Sequence, residues 1–191
     1  MPRRLILASS SQRRKELLTL MGLDYEVFSP DVNEDGEGLP GEVVLLHARK
    51  KAQATALVYP DDIILAADTI VYAMKEILGK PKDLTDAARM LRLLSGKVHQ
   101  VYTGVCLVSG EKLLEGTAVT DVLFSRMTQE DIAFYCASGE PLGKAGAYAI
   151  QGLGSMFIEE ISGSYTNVVG LPTTLVRRML QDIAYPIFRR E

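Results

Sequence analysis

Apolar and polar positions alternate along this chain in two different periods. Leu5-Ile6-Leu7-Ala8 is a short continuous apolar run, the pattern of a strand buried on both faces. Leu17, Leu18, Leu20 and Met21 follow at helical spacing, and Gly22 supplies a stop. Residues 25–29 read as a second strand ended by Pro30, and 31–41 as a loop rich in acid and glycine. Residues 42–58 predict a helix in which Leu45, Ala48, Ala52 and Ala56 form a small-residue face, with Lys51 at its edge and Pro60 closing the segment. The apolar run 63–67 predicts a central strand, with Asp68 and Thr69 at its C-terminal end, 70–72 continuing extended and a hairpin through Met74-Lys75. A helix is expected over 83–95, stopped by Gly96. Two long strands, 98–108 and 113–124, turn at Ser109-Gly110-Glu111. Thr128 caps a helix from 129 to about 137. A glycine-rich stretch covers 139–154, a strand 156–161, and Pro172 fits the start of a last helix over 173–183. Strands and helices alternate early and strands cluster late, which predicts a mixed α/β sheet with flanking helices.

Composition narrows the class. With 191 residues, 47% of them hydrophobic and 24% charged, the chain suits one globular domain or two lobes around a cleft. A formal net charge of -3 supplies no overall basic field, so specific nucleic-acid binding is not expected and any anion site must be local. No apolar stretch approaches the ~18 residues of a membrane span. The basic-then-apolar start is too short for a signal-peptide core, which makes the cytoplasm the default location. Cys106 and Cys136 lack metal or redox spacing and read as small buried hydrophobes. Phosphate-loop, nucleophile-elbow, dinucleotide and H-E-x-x-H signatures are absent, and His47 and His99 read as surface or packing residues.

The remaining chemistry is acid plus base near strand ends. Ser9, Ser10 and Ser11 with Arg13 and Arg14 lie between the first strand and the first helix. Free backbone N–H groups, the helix dipole and forked guanidinium donors would make an anion cradle there, although serines that cap a helix beside solvated arginines explain the same residues. Asp68 follows the apolar run 63–67, where it could hold magnesium, orient a water, or only cap a turn with Thr69. Glu34 is a second candidate oxygen ligand among the equally acidic Asp31, Asp35 and Glu37. Lys51, Lys80 and Lys144 carry interest only if the fold gathers them beside Arg13.

Six segments occur in a fixed order: Leu7-Ala8-Ser9-Ser10-Ser11-Gln12-Arg13-Arg14, Ala66-Ala67-Asp68-Thr69, Gly79-Lys80-Pro81, Tyr102-Thr103-Gly104, Lys144-Ala145-Gly146-Ala147-Tyr148-Ala149-Ile150-Gln151-Gly152 and Val169-Gly170-Leu171-Pro172. In these the chain resembles the Maf family of nucleoside triphosphate pyrophosphatases, once named for septum formation, from about residue 4 to about 180. The resemblance implies a single domain over 1–191 with a mixed twisted sheet in two lobes around a nucleotide cleft, like the inosine triphosphate pyrophosphatases. It implies hydrolysis of dTTP and UTP to monophosphate and pyrophosphate, a divalent metal such as magnesium, and a homodimer. By motif, Asp68 is the proton acceptor and a metal ligand, Glu34 the second metal ligand, Arg13 the first-loop arginine, and Lys51 and Lys80 the phosphate-facing lysines. Thr69 and Gln151 match positions tied to base choice. Where family members often carry aspartate this chain has Gly143, which leaves the role of Lys144 open. A non-catalytic nucleotide sensor in cell division, and the modified-GTP branch of the family, are the alternative readings.

Overall fold

The computed structural model describes residues 3–33 and 36–187. Its elements are β1 (Leu5–Ala8), α1 (Gln12–Leu20), β2 (Glu26–Phe28), α2 (Pro40–Val58), β3 (Ile63–Ala73), β4 (Glu76–Leu78), α3 (Leu84–Leu94), β5 (Val98–Ser109), β6 (Lys112–Phe124), α4 (Gln129–Ala137), β7 (Ile158–Ser162), α5 (Tyr165–Val169) and α6 (Thr173–Asp182). Short 3-10 turns lie at Ala145–Ala147 and Leu153–Phe157. The strands form one mixed sheet in the order β2-β1-β3-β5-β6-β7, with β4 paired to β3. β1 runs parallel to both β2 and β3, whereas β3–β4 and β6–β7 are antiparallel.

The chain divides into two compact units, 1–68 with 103–118 and 170–191, and 69–102 with 119–169. In the first, strand alternation puts Ile64, Ala66 and Asp68 on one face of β3. Ile64 and Ala66 pack with Ile6 and Ala8 of β1 against Ala48 and Ala52 of α2. The small-residue stripe lets α2 settle closely on the sheet. Gly104 of β5 completes that fit, since a Cβ there would lie 2.6 Å from the Val44 carbonyl carbon and oxygen. The second unit has its own core, in which Leu91 and Leu94 of α3, Ile132 and Tyr135 of α4, Phe124 of β6 and Tyr148 are buried together. Thr128 and Asp131 form a reciprocal capping box at the start of α4. Asp83 caps α3 through the Asp86 amide.

Three expectations change. β3 does not end at Asp68: it continues to Ala73, so Asp68 lies mid-strand. The turn that stops it is Met74-Lys75, with φ of 50° and 67°, the left-handed pair that a two-residue hairpin requires. α2 begins at Pro40 because proline, lacking an N–H, suits a first helical turn. Leu20, expected on the buried face of α1, is exposed, and Leu17 and Leu18 carry the packing. Cys106 and Cys136 are buried free thiols, as expected. No helix among the described residues is long and apolar enough to cross a membrane.

Candidate active site

His47 and Lys51 lie one helical turn apart on α2, on the flank of the alanine stripe that faces β3. Both therefore meet Asp68. Lys51 Nζ donates to Asp68 Oδ1 at 2.6 Å, and His47 Nδ1 lies 3.0 Å from Asp68 Oδ2. All three side chains are about nine-tenths buried. Burial pushes the Asp68 carboxyl up, but the hydrogen bond from His47 and the charges of Lys51 and Arg14 outweigh it and hold the group below the usual carboxylate range. An ionised carboxylate can only accept, so His47 Nδ1 carries the proton. Among the described residues, His47 Nε2 is buried without a hydrogen-bond partner. It faces the loop at Gly36, where an added Cβ would lie 3.3 Å away.

The turn from β1 to α1 sits in the same unit. Ser9 is buried and its Oγ accepts from the Ser11 amide at 3.2 Å and from Arg14 Nη1 at 3.1 Å. Arg14 also donates through Nε to the Gly170 carbonyl at 2.8 Å. The two arginines thus separate in role. Arg14 is buried and ties the turn to the segment before α6, while Arg13 is half-buried at the helix start. Ser11, at the N-cap, makes no side-chain capping bond, and the first turn holds no acid. The dipole end of α1 therefore has no protein side chain countering it in the first turn.

Ser9, Arg13, Arg14, Lys51 and Asp68 all belong to the first unit. Thr69, Lys80 and Gln151 belong to the second, where Thr69 is half-buried and Lys80 and Gln151 are exposed. Glu34 lies outside the described residues. No group of three or more His, Cys, Asp or Glu side chains suited to a metal occurs among the described residues. His47, which the sequence pattern reads as a packing or surface residue, contacts Asp68. Its signal was available: it stands four positions before Lys51, which puts both on one helix face. His99 is a packing residue as expected, buried edge-on against Phe124 and Tyr148.

Fold and site together define a mixed α/β protein with local cationic chemistry around one buried, ionised carboxylate. The family model described as Maf-like protein matches residues 4–183, and the chain belongs to that family. It is 48% identical over 182 residues to the dTTP/UTP pyrophosphatase of Bacillus cytotoxicus, covering 94% of this chain and 95% of the relative. It is also 48% identical over 186 residues to the dTTP/UTP pyrophosphatase of Symbiobacterium thermophilum, covering 96% of each. Among solved structures, the Staphylococcus aureus Ham1 protein aligns with a TM-score of 0.47 at 15% identity, over 64% of this chain and 72% of its own, too loose a likeness to carry an argument.

Proposed function

We propose that this protein is a nucleoside triphosphate pyrophosphatase that hydrolyses dTTP and UTP to the monophosphate and pyrophosphate. The observation that carries the mechanism is Asp68, a buried carboxylate kept ionised by Lys51, His47 and Arg14. Water attacks the α-phosphorus, its proton passes to Asp68, the new P–O bond forms and the bond to the bridging oxygen of the β-phosphate breaks. Positioning and charge stabilisation dominate such phosphoryl chemistry. Arg13 and the start of α1 supply positive charge for phosphate oxygens, and Lys51 holds Asp68 in place while adding its own. Ser9 and Arg14 shape the turn. Lys80 and Thr69 join the substrate contacts on the strength of the family pattern, and Gln151 reads the base, since an amide offers both the donor and the acceptor that match O4 and N3–H of uracil or thymine.

The donor chemistry suits a hard divalent cation. Asp68 offers ionised oxygens, each using one lone pair on Lys51 or His47 and keeping another, and magnesium takes one or two carboxylates together with phosphate oxygens and water. We assign Asp68 and Glu34 as those carboxylates. When bound, magnesium supplies charge neutralisation on the phosphates and the leaving pyrophosphate. The two units act as one functional domain over 1–191, in a cytoplasmic homodimer. Pyrophosphate release from dTTP, UTP, CTP and GTP, with magnesium and with a chelator, tests this reading. Metal-dependent release fastest with dTTP and UTP is expected; no release from any triphosphate would overturn it.

A further inference from the structure

Glu140, in the turn after α4, accepts hydrogen bonds on both carboxylate oxygens, and no step above uses it. Its Oε1 accepts from the Tyr135 hydroxyl at 2.7 Å and from the Gly154 amide at 3.0 Å, and its Oε2 accepts from the Leu153 amide at 2.9 Å. The Tyr135 oxygen in turn accepts from the Ala149 amide at 3.2 Å. Residue 151 lies between these anchors. Two positions before it the backbone is pinned through Tyr135, and two and three positions after it through Glu140. Gly152 bonds back to the Ala149 carbonyl at 3.4 Å, and the Ser155 amide and hydroxyl close on the Gly152 carbonyl at 3.0 and 2.6 Å. The backbone on either side of Gln151 is thus fixed, while its side chain is exposed.

The two glycines that follow, Gly152 and Gly154, are required for this contact. A Cβ at Gly152 would overlap the Glu140 carboxylate, and one at Gly154 would lie 2.6 Å from the Tyr135 hydroxyl oxygen and 2.7 Å from the Ala149 carbonyl oxygen. The G-x-G spacing that resembles part of a dinucleotide fingerprint therefore has a different cause here: it lets a carboxylate and a phenol reach the backbone. Burial pushes the Glu140 carboxyl up, but the Gly154 and Leu153 amides, the Tyr135 hydroxyl and the nearby Lys144 charge hold it down, so it is an acceptor on both oxygens. Lys144 thereby gains a role as a charge beside Glu140.

We infer that Glu140 is a specificity-positioning residue: through Tyr135, Leu153 and Gly154 it holds the 149–154 loop so that Gln151 meets the base from one fixed backbone position. The inference rests on the reading of Gln151 as base reader. An amide free to turn over suits cytosine as readily as uracil, because its donor and acceptor exchange places. Discrimination between UTP and CTP therefore depends on where the amide meets the base, and the Glu140 anchor fixes the backbone from which Gln151 projects.

The test measures kcat and KM for UTP and CTP in the wild type, Glu140→Gln, Tyr135→Phe, Gln151→Ala and Glu140→Gln/Gln151→Ala. Glutamine keeps the shape of Glu140 but turns one acceptor into a donor facing a backbone N–H. Tyr135→Phe removes one hydroxyl from the same network and serves as a milder variant should Glu140→Gln fold poorly. Hydrogen exchange at the Leu153 and Gly154 amides reports whether the anchor has been released. The expected result is a fall of about tenfold in the UTP to CTP ratio of kcat/KM for Glu140→Gln, the worth of one net hydrogen bond, carried mainly by KM. A smaller fall is expected for Tyr135→Phe, and no further fall when Glu140→Gln is added to Gln151→Ala. If Gln151→Ala lowers the ratio while Glu140→Gln and Tyr135→Phe exchange faster at Leu153 yet keep the ratio within twofold, Glu140 is overturned and Gln151 stands. If Gln151→Ala leaves the ratio unchanged, the base-reader assignment falls and this inference falls with it.

Discussion

Asp68→Asn is the natural test of chemistry, and the structure predicts that it also costs stability. Lys51 and Asp68 are each 11% exposed at the side chain and 2.6 Å apart. Neutralising the carboxylate removes the Asp68 counter-charge from the desolvated Lys51 ammonium, close to the further positive charge of Arg14. Breaking a buried pair from one side costs about 3–5 kcal/mol. Asparagine keeps an oxygen acceptor for Lys51, so the low end, about 3 kcal/mol, is expected. That corresponds to a fall in Tm of roughly 6–12 °C for a domain of this size. Lys51→Met should cost a similar amount by stranding the carboxylate. The double variant Asp68→Asn/Lys51→Met, which contains neither charge, should be at least about 2 kcal/mol more stable than the sum of the single losses predicts. Urea unfolding of all four proteins at pH 7.5 measures the cycle. An Asp68→Asn protein within about 1 kcal/mol of wild type, or a strictly additive double variant, would refute the claim that the pair is buried and coupled.

Burial holds the His99 imidazole down, to about 4, against the opposing influence of Asp121 and the Lys97 backbone. An unfolded His99 takes up a proton near pH 6.5 and the folded one does not, so stability should decline from pH 6.5 towards 4, by ~2 kcal/mol at pH 5; His99→Gln should remove that slope in urea melts from pH 8 to 4.5, and an unchanged slope would assign it elsewhere. His47→Asn places an amide donor near the position of Nδ1 and should retain more kcat than His47→Gln by about tenfold; equal losses in the two variants would deny His47 a role in orienting Asp68. Gly104→Ala should destabilise by about 3 kcal/mol or more and lower kcat, because its methyl would push α2, with His47 and Lys51, off the sheet; a fully stable and active Gly104→Ala enzyme would contradict that close approach.

Much of this was legible in the chain. The apolar runs 5–8 and 63–67 gave the strands on either side of the parallel β1–β3 pairing. Gly96 and Thr128 marked helix ends because capping is local chemistry. What stayed hidden depends on distant partners. Asp68 looked like a strand end because a charged residue interrupts an apolar run, yet the strand carries the carboxylate through its middle, paired with Lys51 and His47. Arg14 reads as a phosphate ligand, and its Nε bond to the Gly170 carbonyl, far along the chain, is a tie that no local pattern shows. Glu140 carries no pattern of its own; only the clash at Gly152 shows why those glycines are there. α5 is a helix of five residues, too short for periodicity to register.

The most direct measurement of the central claim is product analysis of dTTP and UTP hydrolysis by wild type and Asp68→Asn, with magnesium, at a temperature where both are folded. The account predicts that wild type gives the monophosphate and pyrophosphate in equal amounts, with solvent oxygen on the monophosphate. It also predicts that Asp68→Asn loses a factor of about 10²–10⁴ in kcat while remaining folded. Release of a nucleoside diphosphate and inorganic phosphate, or an Asp68→Asn enzyme within a factor of about three of wild type, would contradict it.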